Sequence, residues 1–195
     1  MASKSELRDR ALRQRDATDP AFRAAASAEI ADRLAPLVAA AAPRVLAAYV
    51  AMRSEVDPAA SIADCHARGT VIVLPVVLPG GGLAFRRYAP GHPLVPGGFG
   101  TLVPDVAAPA LDPDMVIVPL VGFDRSGTRL GYGKGHYDRT VASLRARGLA
   151  PPLVGVAFSA QEVDTIPHEP HDVRLDLIVT EREILDFRTQ GAGAR

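Results

Sequence analysis

Residues 129–139, RLGYGKGHYDR, alternate three glycines with a tyrosine and a lysine and then run into a good helix sequence. Glycine has no Cβ, so it accepts positive φ and lets backbone N–H groups approach a ligand closely. Gly131, Gly133 and Gly135 can therefore form an anion-binding nest at the head of the following helix, where amides and dipole both favour phosphate. Lys134 and Arg129 can add cationic contacts. The same glycines suit a flexible strand-to-helix turn equally well. The spacing matches neither the G-x-x-x-x-G-K-[ST] phosphate loop nor the G-x-G-x-x-G dinucleotide fingerprint. Asp138 follows the last glycine by three residues. The helix dipole alone favours a carboxylate there. It is also the hard oxygen donor that a phosphate-bound Mg2+ requires.

Lys4 and Arg8 are four residues apart and share one helical face. They can clamp an anion together, or simply form a solvated basic face. Glu55 lies in YVAMRSEVDP (49–58), where an apolar strand meets its loop. Open α/β sheets place ligands at such carboxyl ends. Met52 suits an apolar wall or plain core. In IPHEPHDVRLD (166–176), His168 and His171 are spaced only loosely like metal ligands, and no third nitrogen or sulfur ligand is near. Turn chemistry is the better reading for the histidines, with Asp172 as a candidate oxygen ligand.

A scaffold must bring these scattered groups together. A helix is expected over 4–16. Thr18, Asp19 and Pro20 then supply a break, a cap and a first-turn proline for a second helix toward Leu34. Pro36 is expected to kink or restart that helix before Pro43. Strands are expected over 44–50, 70–77, 83–88, 114–124, 152–158 and 175–181. Helices are expected after Asp57, ending at Gly69, and over 135–147. Apolar runs without alternation indicate strands covered on both faces. The order implies one domain over 1–195: an α/β fold with a mostly parallel open sheet and helices on both faces, in three layers. Long Pro/Gly-rich connections, above all 89–113, interrupt it. The tail 189–195 is expected to be frayed.

Composition narrows the partners. Lys and Arg total 22, and so do Asp and Glu, so the formal net charge is zero. A duplex nucleic acid would call for a basic surface, and none is expected to bind. Cys65 is the single cysteine, which excludes an intrachain disulfide or a cysteine-rich metal site. No run of about 18 apolar residues or signal-peptide pattern appears, so neither a membrane nor export is expected. The expected setting is the cytoplasm, and the expected state a monomer.

Four stretches, in this order, resemble the 5-formyltetrahydrofolate cyclo-ligase (methenyltetrahydrofolate synthetase) family: KSELR at 4–8, YVAMRSEVD at 49–57, PLVGFDRSGTRLGYGKGHYDR at 119–139 and IPHEPHDVRLD at 166–176. The third is highly specific, and together they span nearly the whole chain. The resemblance implies an α/β sheet between helices. It also implies ATP-dependent ring closure of 5-formyltetrahydrofolate to 5,10-methenyltetrahydrofolate, with release of ADP and phosphate. By position, it implies ATP contacts from Lys4, Arg8, Arg129, Gly131, Tyr132, Gly133, Lys134, Gly135, His136 and Tyr137. It implies folate contacts from Val50, Glu55, Tyr132, Gly133, Lys134, Gly135 and His136, and Mg2+ ligands at Asp138 and Asp172. Lys134, Glu55 and Arg129 are the implied catalytic groups. Some relatives carry arginine or another residue where Tyr132 stands, and tyrosine where His136 stands. Phe99 in GGFGTLVPD (97–105) is the stacking candidate for folate, and Arg86 and Arg87 are candidates for its polyglutamate tail. The rivals are another nucleotide-dependent enzyme on an α/β scaffold, or a non-catalytic folate- or nucleotide-binding protein.

Overall fold

The computed structural model describes residues 2–188; the tail expected to be frayed, 189–195, lies outside the described residues. Along the chain run α1 (Lys4–Asp16), α2 (Pro20–Ala41), β1 (Val45–Ala47), α3 (Ala59–Ala67), β2 (Val71–Val77), β3 (Leu83–Tyr88), β4 (Val95–Pro96), β5 (Leu102–Val103), β6 (Met115–Pro119), β7 (Gly122–Phe123), β8 (Arg129–Leu130), α4 (His136–Ala146), β9 (Leu153–Val156), β10 (Leu177–Val179) and β11 (Ile184–Asp186). Seven strands form one sheet in the order β11-β10-β9-β6-β1-β2-β3. Pairing is parallel from β2 through β1, β6 and β9 to β10, and antiparallel where β3 and β11 close the two edges.

Each central strand is apolar on both faces, and the register sorts its side chains. Leu46 lies beside both Ile72 and Met115. These three, with Ile117, Val154 and Leu177, pack on Ile30 and Leu34 of α2 and Ile62 of α3. The alternate residues Ala47, Val73, Val116, Leu153 and Ile178 face the other way, onto Val141 and Leu144 of α4. Two apolar layers on a parallel sheet are the reason for the strands' near-continuous hydrophobicity. The three-layer α/β/α architecture follows.

Helix α2 begins as its sequence dictates. Asp19 accepts from the amides of Ala21 (2.8 Å) and Phe22 (3.1 Å), with Pro20 in the first turn. The helix does not restart at Pro36 but continues unbroken to Ala41. Pro36 and Asp32, whose carbonyl loses its amide donor, are both exposed, while Leu34 and Val38 stay buried against the sheet. Solvent can serve the orphan carbonyl, so core packing outweighs the local cost.

The expected strand over 114–124 is two strands. β6 ends at Pro119, and Gly122–Phe123 turns away to pair with Arg129–Leu130 as a separate ribbon. Buried Gln161 holds the corner, donating to the carbonyls of Leu120 (2.8 Å) and Val121 (2.9 Å). Asp124 organises the ribbon's turn: one oxygen accepts from Ser126 N (2.9 Å), Ser126 Oγ (2.6 Å) and Thr128 N (3.3 Å), the other from Ile166 N (2.9 Å). Leu7 and Ala11 of α1 pack on this unit with Val121, Leu130, Val163 and Ile166.

The connection from β1 leads to β2 on one side of it, whereas β6 lies on the other. That is a topological switch point, the place where open α/β sheets bind ligands at the strands' carboxyl ends. The Glu55 loop leaves β1 there, and the glycine loop lies downstream of β6 beyond the β7–β8 ribbon.

Candidate active site at the switch point

One stripe of α1 faces inward. Lys4, Leu7, Arg8, Ala11 and Arg15 are buried or half-buried, while Arg10 and Arg13 on the far side are exposed. The spacing is that of a single helix face. Leu7 and Ala11 anchor the face, and the three cations carried with it meet three different segments.

Arg8 meets the glycine loop, its Nε donating to Gly131 O at 2.7 Å. Gly133 has φ +83°, and a Cβ there would lie 3.3 Å from the Arg8 Cζ. The backbone conformation calls for glycine, while the contact with the flexible guanidinium would need only a small shift. Gly133→Ala is expected to lower stability by about 1–2 kcal/mol from the left-handed conformation alone. The loss is read as a reduced urea midpoint with an unchanged slope. Gly135, at φ +64°, is the cap residue of α4 and provides no side-chain cap bond. The first-turn amides of α4 therefore lack a side-chain cap from this position, and the amino end carries the dipole that favours an anion.

Tyr132 joins this loop to Glu55. Its hydroxyl donates to Glu55 Oε1 at 2.8 Å, and Met52 N donates to Oε2 at 2.9 Å. Burial pushes the Glu55 carboxyl up; the Met52 amide, Tyr132, Arg15 and Arg53 oppose that rise without cancelling it. Val50, on the same loop, packs at the margin of the core beneath α2 and α3. A carboxyl whose pKa is raised by folding binds extra protons in the native state between the unfolded and folded values. Stability must fall as pH rises through that window. Glu55→Gln is expected to remove this fall, flattening the melting temperature measured between the ordinary carboxylate range and neutrality.

Arg129, from β8, is nearly buried. Its Nη2 donates to Asp138 Oδ1 at 2.8 Å, and its Nη1 donates to Val173 O. The same Asp138 oxygen accepts from Val173 N at 3.0 Å. Asp138, in the first turn of α4, is thereby tied to the chain immediately after Asp172. Lys4 reaches the other side of that corner, with Nζ 2.7 Å from Asp172 Oδ2 and 3.1 Å from Glu169 Oε2. Burial opposes ionisation of both Lys4 and Asp172, but their mutual bond prevails: the lysine lies above its ordinary value and the aspartate below. Ligand atoms of Glu169, His171 and Asp172 all lie within 4.8 Å of one another.

The remaining loop residues are placed as follows. His136 Nδ1 lies 2.6 Å from Gly81 O, which fastens the start of α4 to the turn before β3. Tyr137 packs with the core layer beneath α4. Burial pushes its phenol well above the ordinary value; nearby Glu55 adds to this and Arg129 opposes it. Lys134 is exposed at the loop tip, and its carbonyl accepts from Arg139 Nη2. Arg86 donates to Ala108 O at 2.6 Å and so holds the 89–113 connection against β3, whereas Arg87 is exposed. The Phe99 side chain lies outside what the structure describes.

A profile of the 5-formyltetrahydrofolate cyclo-ligase family matches residues 1–181. The chain belongs to the 5-formyltetrahydrofolate cyclo-ligase family. It is 32% identical over 190 residues to the 5-formyltetrahydrofolate cyclo-ligase of Mycolicibacterium smegmatis, covering 91% of this chain and 93% of that one. The Haemophilus influenzae cyclo-ligase is 34% identical over 141 residues, covering 69% of this chain and 74% of its own. The fold is similar to that of Aquifex aeolicus 5,10-methenyltetrahydrofolate synthetase, with TM-score 0.79, 30% identity and coverage of 95% and 93%. It is likewise similar to the Mycoplasma pneumoniae synthetase, with TM-score 0.75, 25% identity and coverage of 92% and 99%. The mostly parallel sheet is thus shared with the cyclo-ligase family, and the chain is an enzyme of that family. No helix among the described residues is long and apolar enough to cross a membrane.

Two features of this cyclo-ligase site escaped sequence reasoning. Arg15 is wholly buried, with Nε donating to Ser54 Oγ at 3.0 Å and Nη2 to Tyr132 OH at 2.9 Å. Its signal was the 4-8-11-15 spacing that continues the Lys4–Arg8 face. Glu169 completes the carboxylate pair around Lys4, and nothing in its sequence context distinguishes it from a surface glutamate.

Proposed function

We propose that this enzyme converts 5-formyltetrahydrofolate to 5,10-methenyltetrahydrofolate with consumption of ATP, by phosphorylating the formyl oxygen. A formamide oxygen is a poor leaving group, and its carbon a poor electrophile. Transfer of the γ-phosphoryl group to that oxygen breaks the bond to ADP and yields an imidate phosphate. N10 then attacks the carbon and gives up its proton, the C–O bond breaks, and phosphate leaves. The observation that carries this reading is the docking of Arg8 on Gly131, at 2.7 Å, beside the open amino end of α4. It brings a guanidinium to the glycine loop that leads into the amino end of α4, with the buried Glu55 joined to the same loop through Tyr132.

The roles follow from chemistry and position. Lys134, at the exposed tip, neutralises charge on the phosphoryl being transferred. Arg8 and the Gly131–Gly135 backbone cradle the phosphates, His136 and Tyr137 belonging to the same first turn. Lys4 binds phosphate after leaving its carboxylate pair. Arg129 fixes Asp138 and the amino end of α4. Glu55 orients the folate near its reacting nitrogens, with Val50 and Tyr132 at its side.

Asp172 and Glu169 fit Mg2+: their donors are hard oxygens that already hold an ammonium at 2.7 and 3.1 Å, and Asp138, whose Oδ1 accepts from Arg129 and Val173 N, is the further oxygen donor we assign to it. When bound, Mg2+ supplies neutralisation of the phosphate oxygens.

The direct test mixes pure protein with 5-formyltetrahydrofolate, ATP and Mg2+ and follows the near-ultraviolet absorbance of the methenyl product. Growth of the signal only with all three present is expected. Nucleotide binding without turnover would replace this reading with a binding protein, and an NAD(P)H-dependent change with a dehydrogenase.

A further inference from the structure

The Arg15 guanidinium is in an unusual position for a structural ion. The residue is wholly buried, yet among the described residues it has no salt-bridge partner, and its Nη1 has no hydrogen-bond partner. Its two hydrogen bonds go to neutral hydroxyls, Ser54 Oγ at 3.0 Å and Tyr132 OH at 2.9 Å. A buried charge held this way is costly, and an apolar side chain would serve packing better.

The hydroxyls give it a different use. Arginine donates and never accepts, so each hydroxyl must receive from it and has one proton to pass on. Ser54 donates that proton to Asp16. Tyr132 donates to Glu55 Oε1 at 2.8 Å, while Met52 N occupies Oε2 at 2.9 Å. Both oxygens of Glu55 are thus made acceptors. We propose that Arg15 is a positioning residue for substrate binding: through Tyr132 it sets the orientation of Glu55 and keeps it a carboxylate for the folate.

The proposal rests on the reading that Glu55 contacts the folate. The groups facing Glu55 are Arg15 from α1, Tyr132 from the glycine loop, Tyr137 from α4, Tyr49 beyond β1, and Arg53 on its own loop. Arg15 and Arg53 are the cations among them, and Arg53 is exposed. Without Arg15, Tyr132 is released from its donor role and burial pushes the Glu55 carboxyl up further.

The test measures kcat and KM for 5-formyltetrahydrofolate, at saturating ATP and across pH, in Arg15→Met, Arg15→Lys, Tyr132→Phe and Glu55→Gln. Arg15→Met is expected to raise the folate KM about tenfold near neutrality with a smaller change in kcat, leaving the KM for ATP in place. Its acid limb in kcat/KM is expected to move up by about one pH unit, the equivalent of that tenfold change. Tyr132→Phe is expected to move the limb the same way, and adding Arg15→Met to it to produce no further movement. A lower melting temperature in Arg15→Met with folate KM and limb unmoved would reduce Arg15 to a structural role and overturn the proposal. If Arg15→Met does not fold, Tyr132→Phe and Arg15→Lys decide, and a wild-type limb in both overturns it. Glu55→Gln separates the two levels. An unchanged folate KM in that variant sinks the underlying reading, whereas a raised KM there with parent-like Arg15 and Tyr132 variants sinks the Arg15 proposal alone.

Discussion

Arg129→Met is expected to lower stability by about 3 kcal/mol and to bring ring closure close to background. Arg129 has 7% of its side chain exposed and Asp138 has 23%. Removing one partner of a nearly buried pair leaves the other charge uncompensated, which typically costs about 3–5 kcal/mol. Partial hydration of Asp138 places the loss toward the lower end. The carbonyl of Val173 loses its guanidinium donor as well. The urea midpoint of the variant measures the loss. Arg129→Met combined with Asp138→Asn is expected to recover part of the stability, because the stranded charge is gone, and none of the activity. A single variant within about 1 kcal/mol of the parent would mean that the Arg129–Asp138 tie does not hold the amino end of α4 in place.

Lys134→Ala is expected to behave in the opposite manner, with turnover falling about 10²–10³-fold while stability stays within about 0.5 kcal/mol. The loop's shape is set by glycine at φ +83° and φ +64°, at positions 133 and 135, and by Arg8 on Gly131 O. The lysine side chain is exposed at the tip, so truncating it removes charge without opening a cavity. The reduction belongs in kcat if the ammonium acts on charge developing during phosphoryl transfer. Turnover within threefold of the parent would remove Lys134 from the phosphoryl-transfer step.

Much of the scaffold is written in long-range patterns that one chain displays openly. The apolar runs at 70–77 and 152–158 signal strands covered on both faces, and the Asp19-Pro20 pair signals the start of α2. The glycine-spaced loop and its helix are equally plain. Other elements depend on partners distant in sequence. β7, β8, β4 and β5 are two residues each, too short for any periodicity, and exist because hydrogen bonding closes their ribbons. β11, Ile-Leu-Asp, pairs with β10 at the sheet edge and has no alternation to read. That α2 does not restart at Pro36 is invisible to local propensity, which says nothing about Leu34 and Val38 holding the helix to the sheet. At the site, Lys4, Arg8 and Glu55 are visible as residue types in suggestive places. Arg15 is hidden among three other arginines of α1 until the helix is docked and one of its faces is seen to be dry.

The position of Lys4 carries a practical consequence. Its ammonium stands 2.7 Å from Asp172, and α1 begins at that very residue. A purification handle fused ahead of Ser3 would emerge within roughly 10 Å of the carboxylate corner, the reach of about three extended residues. Histidines in such a handle would compete for divalent ions at close range. Kinetic work on this enzyme therefore calls for material from which any leading extension has been cleaved.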